Sequence, residues 1–206
     1  MIDPKTVFDS PDDHWTLITA PRDTDFEGQH FDRKAIPHGP VTASQLHRLI
    51  EHIAATVSAF ANHNRQGGLL VIGVNSTGDV IGTAHLSEQQ RNSITNIDTL
   101  LRNQTAQVRT HTCRTTDGQE ASITLIYTPN TSGGICETPG AQPKAWVRHD
   151  AQNIQVDQQR REQLLREKHF TDWERASCCP YDEAEVDRAT LEAFRCQNFR
   201  KSSPVS

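Results

Sequence analysis

The stretch 56–82, TVSAFANHNRQGGLLVIGVNSTGDVIG, decides the fold, because it runs the end of a helix, a loop, a buried strand and a tight turn together. Working upstream, residues 42–62 place Leu46, Leu49, Ile50, Ile53, Ala54, Val57 and Phe60 at helical spacing, so one face is apolar and the segment reads as a helix. Downstream, residues 69–74, LLVIGV, are continuously apolar and too few for an independent helix, which reads as a central strand. The turn Ser76-Thr77-Gly78-Asp79 then leads into Val80-Ile81-Gly82, the composition of a hairpin return strand. Phe60 reads as core. Asn62 reads as the residue that ends the helix, since Asn tolerates a left-handed cap, and Gly67-Gly68 as a tight entry into the strand.

Further along, Ser87 is an N-cap for a helix running towards Leu101, with Ile94, Ile97, Leu100 and Leu101 on one side. Residues 108–114 and 121–127 read as strands joined by Thr116-Asp117-Gly118. Residues 129–143 hold three prolines and three glycines and read as a loop, and residues 145–148 as a short strand. Two charged or amphipathic helices are expected at 157–168 and 182–199. Helices alternating with hairpins give an α+β class, a single domain of mixed and antiparallel sheet with flanking helices plus a helical C-terminal segment. The expected divisions are a loosely packed lead-in at 1–25, the domain at 26–156 and the helical extension at 157–206.

Composition narrows the function. A formal charge of −5 and a pI near 6.0 over 206 residues exclude a chain uniformly coated in lysine and arginine, so any nucleic-acid surface must be a local patch. The first residues, MIDPKTVFDSPDDHW, carry neither a basic nor an apolar leader segment, and no apolar run is long enough to span a bilayer. A cytoplasmic location without membrane association is the expectation. Cys113, Cys136, Cys178, Cys179 and Cys196 are an odd set without C-x-x-C spacing and are expected as reduced thiols.

The chemistry centres on the acidic segment EGQHFDRK, residues 27–34. If Phe31 to Lys34 is extended, Asp32 and Lys34 share one face and Phe31 and Arg33 the other. Carboxylates converging from different elements are hard oxygen ligands for Mg²⁺ or Mn²⁺, and a neighbouring lysine holds a phosphate as a point charge. The plainer reading is that Glu27 and Asp32 are solvated loop residues. His111 and Cys113 would point to one face of a strand, so that with Cys136 they could share a Zn²⁺. Arg33, Arg65, Arg109, Lys144 and Arg148 are candidate contacts to a nucleic-acid backbone, although each alone reads first as a solvated cation.

Taken together, Glu27, Asp32-Arg33-Lys34, Ser58-Ala59-Phe60-Ala61-Asn62, Gly67-Gly68, Gly73-Val74-Asn75 and Lys144-Ala145-Trp146-Val147-Arg148 resemble the AlbA-type domain of the Schlafen family. The resemblance implies nucleic-acid binding, with RNA favoured, and in ribonuclease members a metal-dependent endoribonuclease acting on structured RNA such as tRNA. Carried over, the acidic trio falls on Glu27, Asp32 and Asn75, with Lys34 positioning the phosphate. Asn75 departs from that pattern, because a neutral amide oxygen coordinates a divalent cation less strongly than a carboxylate. The alternative is a non-catalytic DNA- or RNA-binding or regulatory module with a degenerate metal site. Relatives that continue into an ATPase-like region imply such a partner or a homo-oligomer.

Overall fold

A computed structural model describes residues 2–176 apart from 22–26, 38, 64, 116, 132–133 and 140–141, and gives backbone alone at 98 and 169–176. The chain divides into two units, Met1–Lys168 and His169–Ser206, and the elements that carry the site belong to the first. The helix expected at 182–199 and Cys178, Cys179 and Cys196 lie outside the described residues.

A four-stranded sheet is built from β1 (Phe31–Lys34), β2 (Gly68–Ile72), β3 (Gln107–Arg114) and β4 (Glu120–Thr128), in the order β1-β2-β4-β3. β1 runs parallel to β2, and the remaining pairs are antiparallel. Every residue of β2 is buried. Its period of two sends Leu70 and Ile72 to one side of the sheet and Leu69 and Val71 to the other. Leu69, Leu70, Val71 and Ile72 are all 0% exposed, and burying each such side chain is worth about 1.5–3 kcal/mol. That accounts for a central strand that is apolar throughout, without alternation.

The side carrying Leu70 and Ile72 is covered by α3 (Ala43–His63) and α4 (Glu88–Thr95). The opposite side is covered by α1 (Pro4–Asp9) and α2 (Trp15–Ile18), which bring Val7, Phe8 and Ile18 onto Leu69, Val71, Ile123 and Leu125. The expected loosely packed lead-in is therefore corrected. A sheet whose central strand is apolar on both faces needs a second cover, and residues 4–18 supply it.

α3 changes character along its length. Its first turns are exposed on one side, whereas every residue from Ile53 to Asn62 is buried, because the helix packs on β2 and also on a second sheet. That sheet is three-stranded and antiparallel, β5 (Glu137–Thr138), β6 (Lys144–His149) and β7 (Gln152–Gln155). The small side chains Ala54, Ala55, Ser58, Ala59 and Ala61 let both sheets approach one helix. α5 (Gln158–Ala176) covers the small sheet through Leu164, which packs with Ala145 and Val156.

Polar residues on α3 bind that second sheet. Asn62 Nδ2 donates to Cys136 O at 2.8 Å and to Trp146 O at 3.0 Å, and Asn62 Oδ1 accepts from Cys136 N at 2.8 Å. Ser58 Oγ donates to Cys136 O at 2.9 Å and accepts from Trp146 N at 3.2 Å. The capping role expected of Asn62 is thus replaced: the residue lies inside the helix and pairs a neighbouring backbone that would otherwise be buried without partners.

The double glycine is steric as well as conformational. Gly67 has φ +73°, and a Cβ there would lie 2.1 Å from Thr128 O; at Gly68 it would lie 2.2 Å from the Phe60 ring. Downstream, Ser87 caps α4 in a reciprocal capping box with Gln90, as its position predicts. α4 stops at Thr95, and a 3-10 turn, Ile97–Leu100, completes the expected stretch. The return strand at Val80 is reduced to one isolated bridge with Val74. β5 and β7 fall where a loop and no element are expected.

Candidate functional site

β1 is the edge strand of its sheet, and its alternation separates the acidic residues. Asp32 pairs in register with Leu70 and Lys34 with Ile72, which puts both on the α3 side. Phe31 and Arg33 pair with Leu69 and Val71 and face the other way.

On the α3 side a closed ring of polar contacts forms. Asp32 Oδ2 lies 3.4 Å from Arg148 Nη1 and 3.5 Å from His52 Nε2. Thr56 Oγ1 is 3.3 Å from His52 Nε2 and accepts from Asn153 Nδ2 at 2.8 Å. Asn153 Oδ1 accepts from Arg148 Nη1 at 2.8 Å, which returns the ring to its start. Arg148 also donates to Gly28 O at 2.9 Å and Phe31 O at 3.4 Å, so its guanidinium seals the open edge of β1. The guanidinium carbon lies over Phe60, 5.4 Å from the ring centre.

Arg148 is 1% exposed and Asp32 7%, so the pair is shielded from water. Burial by itself raises the Asp32 pKa, but the His52 hydrogen bond and the charges of Arg148, His52 and Lys34 outweigh it and hold the carboxyl below its usual value. Burial pulls the Arg148 guanidinium down, against the opposing charges of Asp32 and Glu27. An ionised carboxylate has only lone pairs to offer, so the contact needs a hydrogen on His52 Nε2.

On the other side Arg33 is the hub. Its Nε lies 3.4 Å from Glu27 Oε1, and its guanidinium donates to Ile18 O at 3.2 Å, Ala20 O at 2.5 Å and Ser76 O at 3.4 Å. Asn75 organises the turn that follows β2. Its Oδ1 accepts from Thr77 N at 3.0 Å, Thr77 Oγ1 at 2.7 Å and Asp79 N at 2.8 Å, while its Nδ2 donates to Asp79 Oδ2 at 3.0 Å. Hydrogen bonds from Thr77 and Asn75 lower the Asp79 pKa.

The three positions of the expected acidic site are therefore held by three different sets of partners. Asp32 is claimed by two cationic or donor side chains, Glu27 by Arg33, and the Asn75 oxygen by three turn donors. This donor set does not fit a divalent cation. Among the described residues no group of three or more His, Cys, Asp or Glu is arranged to hold a metal ion.

The proposed zinc ligands lie apart as well. His111 and Cys113 stand on β3, where Cys113 packs with the Leu69 side of the sheet and His111 meets Asp12 at 3.3 Å and the Trp15 ring at 5.6 Å. Cys136 is buried on the Leu70 side, so the sheet separates it from the other two. Burial pushes the Cys113 thiol up to about 11 and the Cys136 thiol up to about 12.

The candidate backbone contacts divide the same way. Arg33 and Arg148 are buried, and Arg109 donates to Phe8 O at 3.1 Å and Asp9 O at 2.8 Å, fixing α1 to β3. Lys34 is half-buried and Arg65 and Lys144 are exposed. None of these three has an ion pair among the described residues. At the end of α3, burial first, and then the charges of Arg160, His149 and His30, lower the His63 pKa, with Glu167 opposing.

Sequence reasoning missed His52, Thr56 and Asn153. His52 and Thr56 are four apart on α3 and hence on one face, the only signal available. Nothing local joins them to Asp32 or to Asn153 on β7.

The family model described as Schlafen, AlbA_2 matches residues 27–157, and the chain belongs to that family. Membership points to nucleic-acid binding as the class of function. No curated protein matches the chain. Among solved structures, the DIP2311 protein from Corynebacterium diphtheriae is similar at 20% identity and a TM-score of 0.43, over 68% of this chain and 27% of that one. This chain thus spans about a quarter of that structure's length. No described helix is long and apolar enough to cross a membrane.

Proposed function

We propose that the chain is a non-catalytic nucleic-acid-binding module in which the acidic position of its family serves as a structural clasp. One observation carries the reading: Asp32 is buried against Arg148 and His52, so its charge holds β1 to β6 and α3 instead of facing solvent. Binding is supported by the exposed cations Arg65 and Lys144 and by Lys34 beside Asp32. RNA is the favoured ligand, because the family resemblance leads to it. Phosphate contacts of this kind make affinity fall as salt rises.

Metal-dependent cleavage of structured RNA such as tRNA is the second reading. Its support is the family pattern together with Lys34, which shares the Asp32 face of β1. Incubating the protein with total tRNA and Mn²⁺ or Mg²⁺ separates the two. Salt-sensitive binding without product supports the module. Product that disappears in both Glu27→Gln and Asp32→Asn, with the fold retained, overturns it.

A further inference from the structure

We infer that the groove between α3 and the small sheet takes two consecutive unpaired nucleotides of a single strand, with Trp146 as the stacking surface and Lys144 as the phosphate contact. The inference rests on the nucleic-acid-binding reading above and names the form of ligand.

β6 alternates Lys144, Trp146 and Arg148 on its α3 side, while Ala145 and Val147 pack under α5. Arg148 is consumed by the clasp; Trp146 is half-buried and Lys144 exposed. Two clefts open along this face, of about 590 Å³ and about 490 Å³. Both are within the range of small-ligand sites. They share Glu51, Lys144 and Trp146, so an aromatic ring and a cation stand at the divide between them.

The two halves differ in chemistry. The larger is lined by His52, Gln152 and Asn153, groups that can pair with the edge of a base. The smaller half is lined by Ile50, Ala54, Leu100 and Pro139, an apolar bed for a flat ring. Glu51, which faces His47 at 3.4 Å, would repel a phosphate in the same place but accepts from an exocyclic amine. Cation and carboxylate side by side thus suit a nucleotide better than a bare anion. A duplex keeps its base faces stacked and its edges paired, so only an unpaired strand can offer both to this groove.

The test is fluorescence anisotropy of the full chain with a labelled, unstructured ten-nucleotide RNA and with a blunt duplex of the same length. The single strand is expected to bind at least about tenfold more tightly, with Trp146→Leu costing about tenfold and Trp146→Phe restoring most of it. Lys144→Gln is expected to weaken binding about threefold and to reduce the salt slope by about one. Because Trp146 is half-buried, Trp15→Phe/Trp173→Phe protein gives a second readout: its remaining indole should be quenched by the single strand and not by the duplex. Equal or tighter binding of the duplex, or single-strand binding unchanged by Lys144→Gln and with no quenching, overturns the groove while leaving nucleic-acid binding in place. Failure to bind either RNA overturns both.

Discussion

Asp32 and Arg148, 116 positions apart in the chain, meet at 3.4 Å in the interior, and the rest of the clasp is built around them. The contact ties the edge strand of the larger sheet to the smaller sheet across α3. Removing one partner leaves the other charge buried, which is the costly outcome for such a pair.

Asp32→Ala is accordingly expected to lower stability by about 3 kcal/mol in urea denaturation. Arg148→Met should cost a similar amount, and the double variant less than the sum, because once one charge is gone the other is already unpaired. Additive losses would mean that the two do not act as a pair.

The pH dependence follows from the direction of the Asp32 shift. The folded pKa lies below the reference value of 3.8, so the stabilisation is complete above that value and is lost as pH falls through the lower, folded value. Stability of the natural chain should therefore drop below about pH 4 more steeply than that of Asp32→Asn. Parallel pH profiles for the two proteins would contradict this.

Asn62→Ala removes three hydrogen bonds to Cys136 and Trp146 backbone groups and leaves these groups buried. A loss of about 2–4 kcal/mol is expected, readable as a lowered melting temperature. Asn62→Asp, which sets a buried carboxyl oxygen against two carbonyl oxygens, should cost at least as much as Asn62→Ala at neutral pH.

At Gly68 an added methyl would enter the Phe60 ring, 2.2 Å away. Gly68→Ala is expected to destabilise by about 2 kcal/mol, and a simultaneous Phe60→Leu should recover part of it by making room. No recovery would show that the glycine is required by the backbone and not by the ring.

Much of the scaffold is legible in the chain. The helix at 42–62 and the strand at 69–74 agree with α3 and β2 to within two residues, because long periodic runs and glycine-bounded apolar runs are unambiguous signals. β7 has no such signature: Gln152-Asn153-Ile154-Gln155 is mostly polar, and pairing to β6 rather than composition makes it a strand. Residues 4–18 read as loose because Val7, Phe8 and Ile18 are separated by Pro and Asp, yet tertiary burial orders them. At the site, period-two alternation correctly puts Asp32 and Lys34 on one face. No local pattern supplies the set of partners, since His52, Asn153 and Arg148 reach the clasp only through the fold. The family pattern identifies positions 27, 32 and 75 but not the contacts that occupy them.

The most direct test of the clasp is Mn²⁺ titration calorimetry on the folded chain, beside Asp32→Asn, together with gel analysis of tRNA incubated under the same conditions. The structural role predicts no Asp32-dependent heat of binding and intact tRNA. Stoichiometric Mn²⁺ binding lost in Asp32→Asn, accompanied by tRNA cleavage lost in the same variant, would contradict it.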